Sequence, residues 1–92
     1  MLGRRIGELR AACGWSQVEL AKRLSVTKQT VSNWENDNIL PSIEMLVRLS
    51  KIFGVTTDYL LGLEDIPRLS TDGLPETMIG HLQLLIEDYR QK

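Results

Sequence analysis

Lys28, Gln29, Ser32 and Asn33 share the stretch VTKQTVSNWEN, residues 26–36. On a helix turning about 100° per residue, with Lys28 at zero, Ser32 falls near 40°, Gln29 near 100° and Asn33 near 140°. Trp34 and Val31 fall on the other side, at about 240° and 300°. The polar face has a specific chemistry. Gln and Asn offer a paired donor and acceptor that match adenine N6 and N7, and Lys bonds guanine O6 and N7, each good pair discriminating by roughly 1–3 kcal/mol. The helix N-terminus adds backbone donors and partial positive charge suited to a phosphate. A solvated helix face is the plain alternative, and these four residues alone fit it equally well. A typical solvated face would carry more Glu and Lys in i,i+4 pairs, whereas this one carries a single charge.

Other chemistries find little support. Cys13 is the only cysteine and His81 the only histidine, so neither an internal disulfide nor a thiolate metal cluster can form within one chain. Cys13 reads as a small buried helix residue, and a histidine-paired nucleophile would have to use His81, far away on a separate amphipathic segment. There is no Gly-rich phosphate loop, no H-E-x-x-H and no C-x-x-C. No metal, cofactor or catalytic residue is implied. No apolar run approaches the ~18 residues of a membrane span, and Arg and Glu interrupt the first ten residues, so a cytoplasmic protein is expected.

The chain has 92 residues, 42% of them apolar and 25% charged, as suits one small domain with an appended element. Its net charge of −1 is unevenly spread. Residues 1–62 carry eight Lys/Arg and six Asp/Glu, and residues 63–92 carry three and six. A mildly basic first part and an acidic tail suggest two jobs.

The elements that must position the polar face are legible from periodicity and caps. Leu2, Ile6, Leu9 and Cys13 recur at helical spacing, giving a helix over 2–13 that stops at Gly14. Ser16 and Glu19 form a capping box, with Trp15 and Leu20 at staple positions, so a second helix runs over 17–24 with Val18, Leu20, Ala21 and Leu24 inward. Thr27 caps a third helix, and the short connection makes the pair cross steeply, with Ala21 permitting close approach. Residues 36–40 form a loop. Ser42 then caps a fourth helix to Phe53, whose Ile43, Met45, Leu46, Val47, Leu49, Ile52 and Phe53 place it at the centre of the domain. Gly54 ends it, and Thr56 or Thr57 caps a short fifth helix ending at Gly62. Arg4, Arg5, Lys22 and Arg23 read as surface charges, one of them a possible phosphate contact. Residues 63–73 read as a linker. Residues 74–90 resume helical periodicity, with Pro75 at the first helical position. The predicted fold is all-α: a five-helix domain over 1–62, a linker over 63–73 and a C-terminal amphipathic helix within 74–92.

Residues 5–62 resemble the helix-turn-helix domain of the XRE family, which includes Cro and repressor proteins of lambdoid phages. The matching segments are RIGELR (5–10), WSQVELAKRLSV (15–26), TVSNWEN (30–36), PSIEMLVRLSKIFGV (41–55) and DYLLG (58–62). The resemblance implies that Lys28, Gln29, Ser32 and Asn33 enter the major groove of double-stranded DNA. It implies that Gln17 contacts a phosphate, that Thr27 and Thr30 touch the edge of the footprint, and that Asn36 and Asn38 lie in a phosphate-facing loop. Arg10 and Glu35 match a salt bridge that ties the first helix to the end of the recognition helix. Two positions depart from the family pattern. Ser25 stands where Gly is usual, implying αL strain or a shifted turn, and Asp37 would bring negative charge towards the DNA backbone.

One such domain reads a half-site, and family members dimerise to place two recognition helices about 34 Å apart. Leu74, Met78, Ile79, Leu82, Leu85, Ile86 and Tyr89 form an apolar stripe suited to a homodimer, the alternatives being packing on its own domain or a hetero-partner such as a protein antagonist. The expected function is that of a non-enzymatic repressor acting as a dimer on a pseudo-palindromic operator. Alternatives are an antitoxin, a phage or restriction-system controller of the same fold, or a protein-interaction adaptor that has lost DNA binding.

Overall fold

The computed structural model describes residues 2–68 and 70–91. Among them are six α-helices and no strand: α1 (Leu2–Ala12), α2 (Gln17–Leu24), α3 (Lys28–Glu35), α4 (Ile43–Phe53), α5 (Thr57–Leu60) and α6 (Glu76–Arg90).

Local chemistry sets the helix starts. Ser16, Thr27, Ser42 and Thr56 each hold extended backbone angles, and each side-chain oxygen accepts an N–H three residues on, which satisfies one orphan donor of the first turn. At α2 the capping box is complete, because the Glu19 carboxylate also accepts the Ser16 N–H at 3.1 Å. The Ser16 N–H bond to this carboxylate, with a smaller contribution from the Ser16 hydroxyl, holds the Glu19 carboxyl below its ordinary range.

Ile6, Leu20, Leu24, Val31, Leu49 and Leu60 are fully buried and form the centre of the core, with Ala21, Trp34, Phe53 and Val55 around them. Every one of α1 to α5 contributes to this cluster, so burial of apolar area from five short helices stabilises what none could sustain alone. Trp15 is half-buried rather than a mere staple. Its ring stacks on Phe53 with centroids 6.1 Å apart, and Arg23 lies over it at 4.1 Å, so Arg23 is no plain surface charge.

Several expectations need correction. α1 ends at Ala12, which puts Cys13 in the following turn, where it is exposed rather than buried. Val18 is exposed on α2, and on α4 both Ile43, at 83% exposure, and Val47 face solvent. The apolar surface of α4 is broader than the face its neighbours cover, and only its C-terminal half lies in the core. Thr27 is the N-cap of α3, as the sequence predicts, and the helix proper starts at Lys28. α6 begins at Glu76, with Pro75 as its N-cap at φ −69° and ψ 155°, so Leu74 precedes the helix.

No residue of α6 is buried. The radius of gyration is 14.6 Å, against about 12 Å for a compact chain of this length, a difference that such an uncovered helix accounts for. Packing of α6 on its own domain is therefore not what this structure shows.

Candidate nucleic-acid interface

The candidate face is built on α3, anchored by buried Val31 and Trp34. Lys28 and Gln29 are exposed, and Ser32 and Asn33 are half-exposed beside them. Gln29 Nε2 donates to Asn33 Oδ1 at 3.1 Å. One bond therefore fixes both amides relative to each other, while Gln29 keeps its oxygen and one N–H, and Asn33 keeps both N–H groups, for an outside partner. Asn36, at the C-cap, donates through Nδ2 to Ser32 Oγ at 3.3 Å. At the other end, Thr27 Oγ1 accepts the Thr30 N–H at 3.1 Å and lies 2.9 Å from Thr30 Oγ1. The polar residues on and beside α3 are thus held in three separate short-range pairs, Thr27–Thr30, Gln29–Asn33 and Ser32–Asn36.

The approach of α2 to α3 depends on the turn at Ser25. This residue adopts φ 57°, ψ 41°, and its N–H reaches the carbonyls of Ala21 and Lys22. Of the two outcomes expected for a non-glycine here, the turn holds its left-handed geometry, at a cost of roughly 1–2 kcal/mol.

The far end of α3 is tied down by Glu35. Its carboxylate accepts from Arg10 Nε at 2.7 Å and Arg10 Nη2 at 3.1 Å, with side chains 19% and 11% exposed respectively for Arg10 and Glu35. Gln17 Nε2 donates to the same carboxylate at 3.2 Å, and Arg10 Nη1 reaches the Trp15 carbonyl at 2.7 Å. One carboxylate therefore joins α1, α2 and α3. The hydrogen bond to Glu35, reinforced by its charge and opposed by partial burial, raises the Arg10 pKa. Gln17 enters this network with one amide N–H and has a second for a phosphate.

Two features were not foreseen. Gly3 and Gly7, one helical turn apart on α1, face the end of α3. A Cβ at Gly3 would collide with the Trp34 and Glu35 carbonyl oxygens and sit 2.7 Å from Asp37 Oδ1, and one at Gly7 would lie 3.2 Å from Glu35 Oε1. The G-x-x-x-G spacing inside a predicted helix was the available signal. Asp37, at φ 57°, accepts the Gly3 N–H through Oδ1 at 3.0 Å. Its negative charge is thereby engaged at the α1 N-terminus, where the helix dipole favours it, a structural role beside the charge it was expected to bring towards the DNA backbone.

Asn38 is exposed in the loop, its backbone N–H held by the Asn33 carbonyl at 2.9 Å. The structure thus brings Gln17, Thr27, Lys28, Gln29, Thr30, Ser32, Asn33, Asn36 and Asn38 onto or beside one helix. Met78, Ile79, Leu82, Leu85, Ile86 and Tyr89 lie apart from them on α6. Groups of His, Cys, Asp or Glu able to hold a metal ion are absent among the described residues, as are helices long and apolar enough to cross a membrane.

Residues 6–60 match the family model described as helix-turn-helix. The transcriptional regulator ImmR of Bacillus subtilis (strain 168) is 35% identical over 88 residues, covering 95% of this chain and 69% of that protein. The SPbeta prophage-derived regulator YonR of the same organism is 32% identical, over 100% of this chain and 87% of its own length. Among solved structures, the P22 c2 repressor in complex with a synthetic operator superposes with a TM-score of 0.63 at 33% identity, covering 65% of this chain and 91% of that one. The SinR–SinI complex gives a TM-score of 0.63 at 30% identity, and there the likeness spans 98% of this chain and 79% of the other.

Proposed function

The chain belongs to the XRE-type helix-turn-helix family of transcriptional regulators, which are not enzymes, and from that premise we propose that it is a repressor acting as a homodimer on a pseudo-palindromic operator. α3 enters the major groove. Lys28, Gln29, Ser32 and Asn33 read base edges, while Gln17, Thr27, Thr30, Asn36 and Asn38 contact phosphates and fix the register. Arg10 and Glu35 hold the helix rather than touch DNA. α6 supplies the dimer contact through Met78, Ile79, Leu82, Leu85, Ile86 and Tyr89, with Leu74 at its entry.

The observation that carries this reading is the outward pair Gln29–Asn33, two amides locked to each other at 3.1 Å on an exposed face with donors and an acceptor to spare. A protein-interaction adaptor would have no need of it. For α6 a second occupant has specific support: the likeness to the SinR–SinI complex extends through nearly the whole chain, tail included. A protein antagonist competing for the same apolar stripe is therefore the alternative partner of α6.

The test is selection from random duplexes at one stated salt concentration. An enriched inverted repeat with half-site centres about one helical turn apart supports the reading. Gln29→Ala and Asn33→Ala should each reduce preference for the selected half-site by roughly 5- to 150-fold, as expected for losing about 1–3 kcal/mol of discrimination. Folded variants that bind with undiminished preference would sink the readout assignment.

A further inference from the structure

Composition makes residues 63–73 a linker, yet the structure fastens this segment to the domain at several points. Arg5 Nη1 donates to the Tyr59 carbonyl at 2.6 Å and to the Glu64 carbonyl at 3.1 Å, and its guanidinium lies over the Tyr59 ring, 4.1 Å from the centroid. Thr56 Oγ1 donates to the Glu64 carboxylate at 3.3 Å. The Leu63 N–H reaches the Asp58 carbonyl at 2.8 Å, and further along the Ser70 N–H meets the Gly54 carbonyl at 3.4 Å. Just before α6, the Leu74 N–H closes a turn on Thr71 at 3.1 Å, and the Asp72 N–H reaches Ser70 Oγ at 3.3 Å.

We propose that Arg5 is a positioning residue that clamps the start of this strap and so sets the half-site spacing that the dimer accepts. The inference rests on the dimer reading given above. A free chain over residues 63–75 would have a root-mean-square span of about 20 Å. Such a tether absorbs a change of one base pair, which moves the half-sites by about 3.4 Å and turns one relative to the other by about a tenth of a helical turn. A strap pinned at Glu64 and again at Ser70 cannot follow that movement without breaking bonds. Arg5 is suited to the task because a planar guanidinium donates in its own plane while its face stacks on an aromatic ring, which a lysine ammonium cannot reproduce. Turned towards two carbonyls, it is not oriented as a phosphate ligand.

The experiment uses the operator selected by the unaltered protein, together with versions whose half-sites are one and two base pairs further apart. Arg5→Met keeps the aliphatic stem and removes the donors. The unaltered protein should lose at least ~10-fold in affinity on the first lengthened site. Arg5→Met should bind the original site within ~3-fold and lose at least ~3-fold less on lengthening, as a looser tether allows. Its salt dependence should match the unaltered protein's, whereas losing a phosphate contact would lower the slope by about 0.9.

Unchanged spacing discrimination in a folded Arg5→Met protein overturns the inference alone. Equal weakening on every spacing with a shallower salt slope also overturns it. An unaltered protein that needs both half-sites but ignores their spacing overturns the inference alone, and one that binds an isolated half-site as tightly as the inverted repeat overturns the dimer reading and the inference with it. A second measurement stands independent of the variant's stability. Spin labels at Lys22→Cys and Glu87→Cys, in a Cys13→Ser background diluted into unlabelled protein, should give a narrow distance distribution while Arg5 is present. A broad one would overturn the proposal.

Discussion

Replacing Arg10 by Met should destabilise the domain by about 2–3 kcal/mol. Arg10 makes two charge-assisted bonds to Glu35, at 2.7 and 3.1 Å, and a third to the Trp15 carbonyl at 2.7 Å. Removing one partner of a fully buried pair costs about 3–5 kcal/mol, because a charge is left without compensation. Here the side chains keep 19% and 11% of their exposure, so water and the Gln17 amide recover part of that loss, and the figure falls below the buried limit. Met retains most of the aliphatic stem, which keeps the packing contribution out of the difference. For a small domain stable by about 5 kcal/mol, the change raises the unfolded population roughly 30- to 150-fold. Urea titration followed by tryptophan fluorescence reads it directly, since Trp34 is buried and Trp15 half-buried. Glu35→Leu removes the orphaned carboxylate, so the double variant Arg10→Met/Glu35→Leu should lose less than the sum of the two single losses by at least ~1 kcal/mol. A loss below ~0.5 kcal/mol for Arg10→Met, the scale of an exposed pair, or strict additivity in the cycle, would refute the idea that this pair holds α3 in place.

Other substitutions test other joints. Gly3→Ala and Gly80→Ala are both Gly-to-Ala changes within helices, which ordinarily stabilise by up to about 1 kcal/mol. An added Cβ meets nothing within 4 Å at Gly80 and backbone carbonyls at Gly3, so thermal melting should show Gly80→Ala neutral or stabilising and Gly3→Ala destabilising by about 1–3 kcal/mol. Ser25→Gly should raise the urea midpoint, because relief of about 1–2 kcal/mol of left-handed strain outweighs the ~0.5–1 kcal/mol of added unfolded-state freedom. Glu19 carries a depressed pKa, so its contribution to stability is complete above the ordinary glutamate value of 4.5 and vanishes as pH falls through the lower folded value. In Ser16→Ala the Glu19 side-chain hydroxyl partner is lost while the Ser16 N–H bond remains available in kind; NMR titration should find its pKa moved part of the way back up.

What the sequence revealed and what it hid divide by distance along the chain. Caps act over three residues, so Ser16, Thr27, Ser42 and Thr56 mark helix starts that the structure reproduces closely. The polar face of α3 follows from periodicity alone, because two large buried side chains orient an eight-residue helix. Arg5 was misread because its partners are 54 and 59 residues away, and nothing in its neighbourhood distinguishes it from Arg4. Asp37 and Gly3 pair across 34 residues and were missed for the same reason. Ile43 and Val47 carry the residue types of a core without the coverage of one, and hydrophobicity does not say which stretch of an apolar helix has neighbours. Cys13 was misplaced by a single residue of helix length, since a helix ending at Ala12 puts it in a solvent-facing turn.

The bond between Gln29 and Asn33 also bears on how forgiving such a helix is towards imperfect targets. A reader with no alternative is left unsatisfied by a wrong base, and that orphaned group is where most of the discrimination against mismatches arises. If these amides read bases as proposed, a wrong base still leaves each bonded to the other, so the penalty should fall towards the lower end of the ~1–3 kcal/mol scale. The same fallback keeps the face satisfied while the protein moves over unrelated sequence. On the proposed reading, tolerance of degenerate operators and rapid scanning would both follow from one side-chain hydrogen bond.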